Sequence, residues 1–258
     1  MSAPKPTSHS KQPGPPPPRA PEALVIFAKA PVPGQVKTRL CPPLTPDEAA
    51  TLHGSFVLDT LERTKAAMGK FRLTIDRFLA CAPSSAHVFF KIMEARHGVN
   101  LLDQEGKDLG ARMERAFADL LGRGYRRVVL VGTDVPSLPL PQYRQAFELL
   151  ADHDVVLGPA EDGGYHLIGM TKPRPALFRN MPWSTDQVLA LTRRRVEDEG
   201  ASVALLPTWR DVDTVDDLRA LIRDAALDRA RPKSEQVFSS RTAGALDLVG
   251  RRLRERQS

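Results

Sequence analysis

A chain of 258 residues with 41% hydrophobic residues has apolar material for one full core, which excludes a disordered protein and favours a single domain. The net charge of +6 does not mark a nucleic-acid binder. Residues 1–21 hold three cations and no acid, residues 223–258 hold nine Lys/Arg against five Asp/Glu, and the body between them sums to −1. Two cysteines, Cys41 and Cys81, lie outside any metal-ligand spacing, which argues against zinc and for reduced thiols in a cytoplasmic protein.

Residues 1–21 are proline-rich without an apolar stretch, so they read as a disordered extension and not as a signal peptide or anchor. No apolar run approaches the ~20 residues that span a bilayer. From Ala23 onward, short apolar runs are expected as strands at 23–28, 71–80, 99–102, 127–131, 155–157, 165–170 and 202–206. Helical patterns fall between them at about 45–67, 85–96, 108–121, 141–151, 185–199 and 214–226. This alternation yields an α/β fold with a mainly parallel sheet covered by helices. Thr45-Pro46-Asp47-Glu48 carries a capping hydroxyl, a proline at the first helical position and a glutamate three residues on. Thr214 with Asp216 and Asp217 gives the last helix its cap and first-turn acids. One domain over 22–226 is expected, followed by a basic, flexible tail at 227–258.

The segment after the first strand, Lys29 to Leu40, combines Lys29, Lys37 and Arg39 with Gly34 and two prolines. Such a stiff loop offers amides and positive charge to phosphate oxygens; the plainer reading is a surface loop with solvated lysines. Neither a Walker loop nor a Gly-x-Gly-x-x-Gly fingerprint is present. Asp108 most simply caps the helix that follows it, while Gly110 can let a nucleoside base approach closely. The run Arg126 to Val131 is a buried strand that ends in Gly132-Thr133-Asp134. An acid at that edge of an open α/β sheet suits Mg²⁺ carrying a diphosphate, and otherwise caps the next segment. In Asp162-Gly163-Gly164-Tyr165, a hairpin signal follows a strand, so Asp162 can act as a general base or orient an acceptor hydroxyl. His166, inside the next strand, reads as packed. Trp183, with Gly163, Gly164 and Tyr165, is a candidate wall for a sugar or base, or a packing residue. Asp213, just before the last capped helix, completes a two-carboxylate metal site with Asp134.

Four ordered stretches, Phe27 to Leu40, Gly132 to Pro136, Asp162 to Tyr165 and Asp211 to Thr214, resemble the bacterial transferase family found near radical-SAM genes and linked to arsenosugar biosynthesis. That family is related to 2-phospholactate guanylyltransferases and molybdenum-cofactor nucleotidyltransferases. The resemblance implies the GT-A-like nucleotide-diphospho-sugar transferase fold, three layers around a mainly parallel mixed sheet. It further implies that Asp134 and Asp213 hold Mg²⁺ (or Mn²⁺) and that Lys37 and Arg39 contact phosphates; Lys37 and, from its place in the turn, Asp162 are the candidate catalytic residues. The usual glycosyltransferase Asp-x-Asp is replaced by Gly132-Thr133-Asp134. The reaction expected is glycosyl transfer from a nucleotide sugar to a small-molecule acceptor, with nucleotidyl transfer from an NTP as the alternative. A non-catalytic nucleotide- or nucleic-acid-binding protein is a third reading, supported by the basic termini alone.

Overall fold

Seven strands form one sheet in the order β3-β2-β1-β4-β6-β5-β7: β1 (Glu22–Lys29), β2 (Ile75–Ala82), β3 (Asn100–Asp103), β4 (Arg127–Val131), β5 (Val155–Pro159), β6 (Tyr165–Met170) and β7 (Val203–Leu205). The computed structural model describes residues 20–233 and 236–255, so the expectation for the proline-rich stretch lies outside the described residues up to position 19. Strands β1–β4, β5 and β7 run the same way, and β6 alone is reversed, pairing antiparallel with β4 and β5. The expected α/β class with a mainly parallel mixed sheet is therefore the fold observed. Ala20 and Pro21 already dock at its base, where the Ala20 amide donates to Asp76 and the Arg126 amide to the Pro21 carbonyl.

Alternation along β1 explains the layers. Leu24, Ile26 and Ala28 face one side with residues of α1 (Pro46–Phe71), α2 (Val88–His97) and α4 (Leu140–Leu149). Ala23, Val25 and Phe27 face the other with α3 (Leu109–Gly122) and α5 (Val188–Asp198). The Thr45–Glu48 capping box forms with both hydrogen bonds, and α1 continues to Phe71 before Arg72 closes it in the left-handed region. The strand expected from residue 71 consequently starts only at Ile75.

The flexible tail expected at 227–258 is corrected by the structure. Helix α6 (Val215–Arg229) runs through the expected boundary, and α7 (Ser240–Glu255) packs on α1 and α6. Phe238, Ala243, Leu246 and Val249 are buried with Leu52 and Phe56 of α1, and with Leu40 and Val212. Buried Asp59 accepts from Ser239 Oγ at 2.6 Å, and buried Asp228 accepts from the Val237 and Phe238 amides. Apolar spacing in α7 is amphipathic; its arginines occupy the outer face and dominate the composition.

Leu246 is 1% exposed, so Leu246→Ala should cost ~2–5 kcal/mol in urea unfolding, the range for truncating a core leucine. A change within ~0.5 kcal/mol, as at an exposed site, would contradict the docked helix.

Candidate active site

The carboxyl ends of β1, β4, β5 and β7 share one edge, and the loops leaving them enclose a cleft of about 650 Å³. Its walls include Lys29, Lys37, Gln104, Asp134, Asp162 and Trp183. The loop after β1 is shaped by Gly34 at φ +76° and by Lys37, itself left-handed at φ 49°. Buried Val36 and Leu40 anchor that loop on either side of Lys37, while Gly34 is exposed and bends the chain without lining the cleft.

Lys37 is the centre of the arrangement. Its ammonium lies 2.5 Å from Asp134 Oδ1 and donates to Asp213 Oδ1 at 2.9 Å and to the Val212 carbonyl at 2.7 Å. The lysine side chain is 5% exposed, the two acids 44% and 39%. Burial opposes the ammonium, yet the two carboxylates outweigh it and hold the lysine above its ordinary pKa. Burial likewise opposes the Asp134 carboxylate, and Lys37 followed by His53 keeps it below its usual range.

Backbone pairing brings the distant acid in. The segment after β7 runs beside the end of β5, with the Trp209 amide donating to Pro159 and Trp209 Nε1 to Ser137. The Val212 amide then donates to the Asp134 carbonyl at 2.9 Å. Asp217, in the first turn of α6, accepts from the Asp213 and Thr214 amides and fixes the chain direction there. Asp134 and Asp213, 79 positions apart in the sequence numbering, thus touch one ammonium nitrogen.

Several residues come with them that the sequence did not single out. The Asp211 carboxyl is pushed up to about 7, by burial first and then by Asp162, Asp213 and Asp134. His53, on α1, is buried; Nε2 approaches the Lys29 carbonyl at 3.0 Å, so it is the protonated nitrogen, and burial lowers the pKa. Gln104 Nε2 donates to the Ala28 and Ala80 carbonyls and ties the ends of β1 and β2. Asp211 stood inside a recognisable stretch, whereas no local pattern marks His53.

The remaining candidates divide. Arg39 is 69% exposed at the rim, 4.0 Å from Asp213. Asp108 is the expected cap, accepting from the Ala111 amide at 2.8 Å. Asp162 closes its own turn by accepting from the Gly164 amide at 2.8 Å and borders the cleft. Tyr165 and Trp183 meet edge to face at 6.5 Å on the cleft wall. Two expectations are corrected. A Cβ on Gly110 would lie 2.6 Å from the Phe178 carbonyl and 2.8 Å from the Trp183 ring, so protein fills the space reserved for a base. Gly163, at φ +88°, is pressed against the Asp186 backbone and is not part of the wall. His166 is packed as expected, with Nδ1 3.2 Å from the Pro159 carbonyl.

Among the described residues, no group of three or more His, Cys, Asp or Glu is arranged to hold a metal. Two carboxylates fit Mg²⁺ or Mn²⁺ only where phosphates and waters complete the shell, which is how Mg²⁺ is ordinarily bound. The observation that favours a cation here is structural: both acids already close on one positive charge, the Lys37 ammonium. No helix among the described residues is long and apolar enough to cross a membrane.

Residues 66–185 match the model of a family described as uncharacterized proteins conserved in bacteria (DUF2064). At 34% identity, over 92% of this chain and 98% of the other, the structure matches a "putative nucleotide-diphospho-sugar transferase" from Desulfovibrio desulfuricans G20 with a TM-score of 0.77. The fold is shared with a cytidylyltransferase from Leptospira borgpetersenii at 15% identity, over 90% of this chain and 95% of that one, with a TM-score of 0.50. It is also shared with CMP:2-keto-3-deoxy-manno-octonic acid synthetase complexed with CTP, at 11% identity over 79% and 98% of the chains, TM-score 0.50. No curated protein matches the sequence.

Burial lowers the His166 pKa from 6.5 to about 4. Between those values the unfolded chain binds more protons than the folded one, so stability falls as pH drops from about 6.5 to about 4. His166→Gln should flatten that part of the curve, read from urea midpoints at about pH 4.5 and 7; an unchanged slope would mean that the imidazole protonates while folded.

Proposed function

The chain belongs to the family of the Desulfovibrio desulfuricans protein, and from that premise we propose a divalent-metal-dependent transferase that takes a nucleotide by its phosphates. Glycosyl transfer from a nucleotide sugar to a small-molecule acceptor is the leading reaction. The observation that carries the reading is the Lys37–Asp134–Asp213 cluster at the carboxyl edge of the sheet, inside the cleft. The four ordered stretches also support the narrower affiliation, with the radical-SAM-associated, arsenosugar-type transferases, and the two cysteines outside any metal-ligand spacing support a cytoplasmic setting.

Asp134 and Asp213 are the residues that would hold Mg²⁺ or Mn²⁺, and a bound ion offsets negative charge developing on a leaving diphosphate. The chain's own groups do the rest. Arg39 and Lys29 lie on the cleft wall, where each can pair with phosphate oxygens. Tyr165 and Trp183 present aromatic surface to a sugar or acceptor, and Gly164 lets the Asp162 turn close tightly beside them. Asp162, exposed on the wall, is positioned to take the proton of an acceptor hydroxyl. Nucleotidyl transfer is the second reading. It is favoured by the single acid in Gly132-Thr133-Asp134 in place of Asp-x-Asp, and by the fold shared with the two cytidylyl-type enzymes.

Thermal shifts with NDP-sugars and NTPs in the presence of Mg²⁺ test the reading, since ligand at ~100 times its Kd adds ~2.7 kcal/mol to stability. No shift with either class would remove it. Release of NDP marks glycosyl transfer, release of pyrophosphate the alternative. Asp134→Asn and Asp213→Asn should each lower kcat by ~10²–10³-fold, the usual cost of losing one electrostatic element. Arg39→Ala should weaken nucleotide binding by ~1.5–3 kcal/mol, the worth of a hydrogen bond to a charged group.

A further inference from the structure

The place between the two acids is taken by the Lys37 ammonium, which donates to Asp213 Oδ1 at 2.9 Å and to the Val212 carbonyl at 2.7 Å, lies 2.5 Å from Asp134 Oδ1 as an ion pair, and belongs to a side chain only 5% exposed. A lysine held by both carboxylates in this way has its charge engaged before any phosphate arrives. A divalent ion at ~2.1 Å from these carboxylates would lie beside the ammonium, and the repulsion between the two cations sets them in competition for the same pair of acids. We propose that Lys37 is a resident counter-ion that competes with the divalent metal for Asp134 and Asp213, and that metal entry releases its ammonium to the phosphates of the incoming nucleotide. This inference rests on the metal-dependent reading above and deepens it.

The consequence is a preference for metal and nucleotide together. A metal alone must displace an ammonium that the buried loop then leaves without a partner, whereas a metal arriving with phosphates supplies one. Free metal should bind weakly, and the phosphate contact expected of Lys37 belongs to the loaded state. Buried Val36 and Leu40 anchor the backbone on either side of Lys37, which is left-handed at φ 49°.

The test is Mn²⁺ binding to the full chain without nucleotide, followed by the electron paramagnetic resonance signal of the free ion. Lys37→Met and Lys37→Gln should each tighten Mn²⁺ by ~10-fold or more, the scale on which a neighbouring charge shifts a carboxylate equilibrium, while Lys37→Arg should stay near wild type. Asp134→Asn added to Lys37→Met should reverse the gain. Mn²⁺ affinity unchanged or weakened in both neutral variants would overturn the proposal, as would a gain that survives Asp134→Asn. A second measurement uses the unaltered chain: saturating Mn²⁺ should increase acetylation of Lys37 by acetic anhydride severalfold, read by mass spectrometry, and protection or no change would overturn it. Competition that holds while no nucleotide binds removes the transferase reading alone; nucleotide binding with no competition removes this inference alone.

Discussion

One buried ammonium organises the functional edge of this protein. Lys37 holds together three pieces of chain that lie far apart in the sequence: the loop after β1, the turn after β4 and the segment before α6. Remove its charge and two carboxylates face each other with Asp211 and Asp162 close by, an arrangement that Coulomb repulsion would open. Burial first, and then Asp162, Asp213 and Asp134, raise the Asp211 carboxyl beside them.

The scaffold sets this arrangement through its backbone. The hydrogen bond from the Val212 amide to the Asp134 carbonyl fixes the register between two loops, and the capping network of Asp217 fixes the direction in which Asp213 leaves. Reversed strand β6 lies between β4 and β5, which spaces the Asp134 turn from the Asp162 turn and opens the cleft between them. Trp183, seated on Gly110, closes the far wall. The glycine serves the protein's own packing, leaving room for the indole that lines the cleft.

Helix α7 bears on the site without touching it. Leu246 and Val249 belong to the same buried cluster as Leu40 and Val212, which lie next to the Lys37 loop and beside Asp213. Asp59, Asp228 and Arg63 tie the chain leading into α7 back onto α1 and α6. The C-terminal helix is therefore part of the support under the acid pair.

The sequence by itself determined the α/β class, most strands and helices, the Thr45 capping box and the Thr214 cap, because each is written in local signals: period-two or period-3.6 apolar spacing and cap residues. It did not reveal α7, whose apolar positions are sparse among arginines and acquire meaning only against α1 and α6. Nor could it assign Gly110, since only packing shows that an indole fills the space above it. His53 and Asp211 joined the site through tertiary contact, one from within a helix and one by being buried beside Asp162, Asp134 and its neighbour Asp213. The state of Lys37 was decided in the same way. Sequence supplies a lysine in a loop; whether that lysine meets phosphate or carboxylate depends on which chain segments the fold lays beside it, because Coulomb energy depends on distance in space and not along the chain.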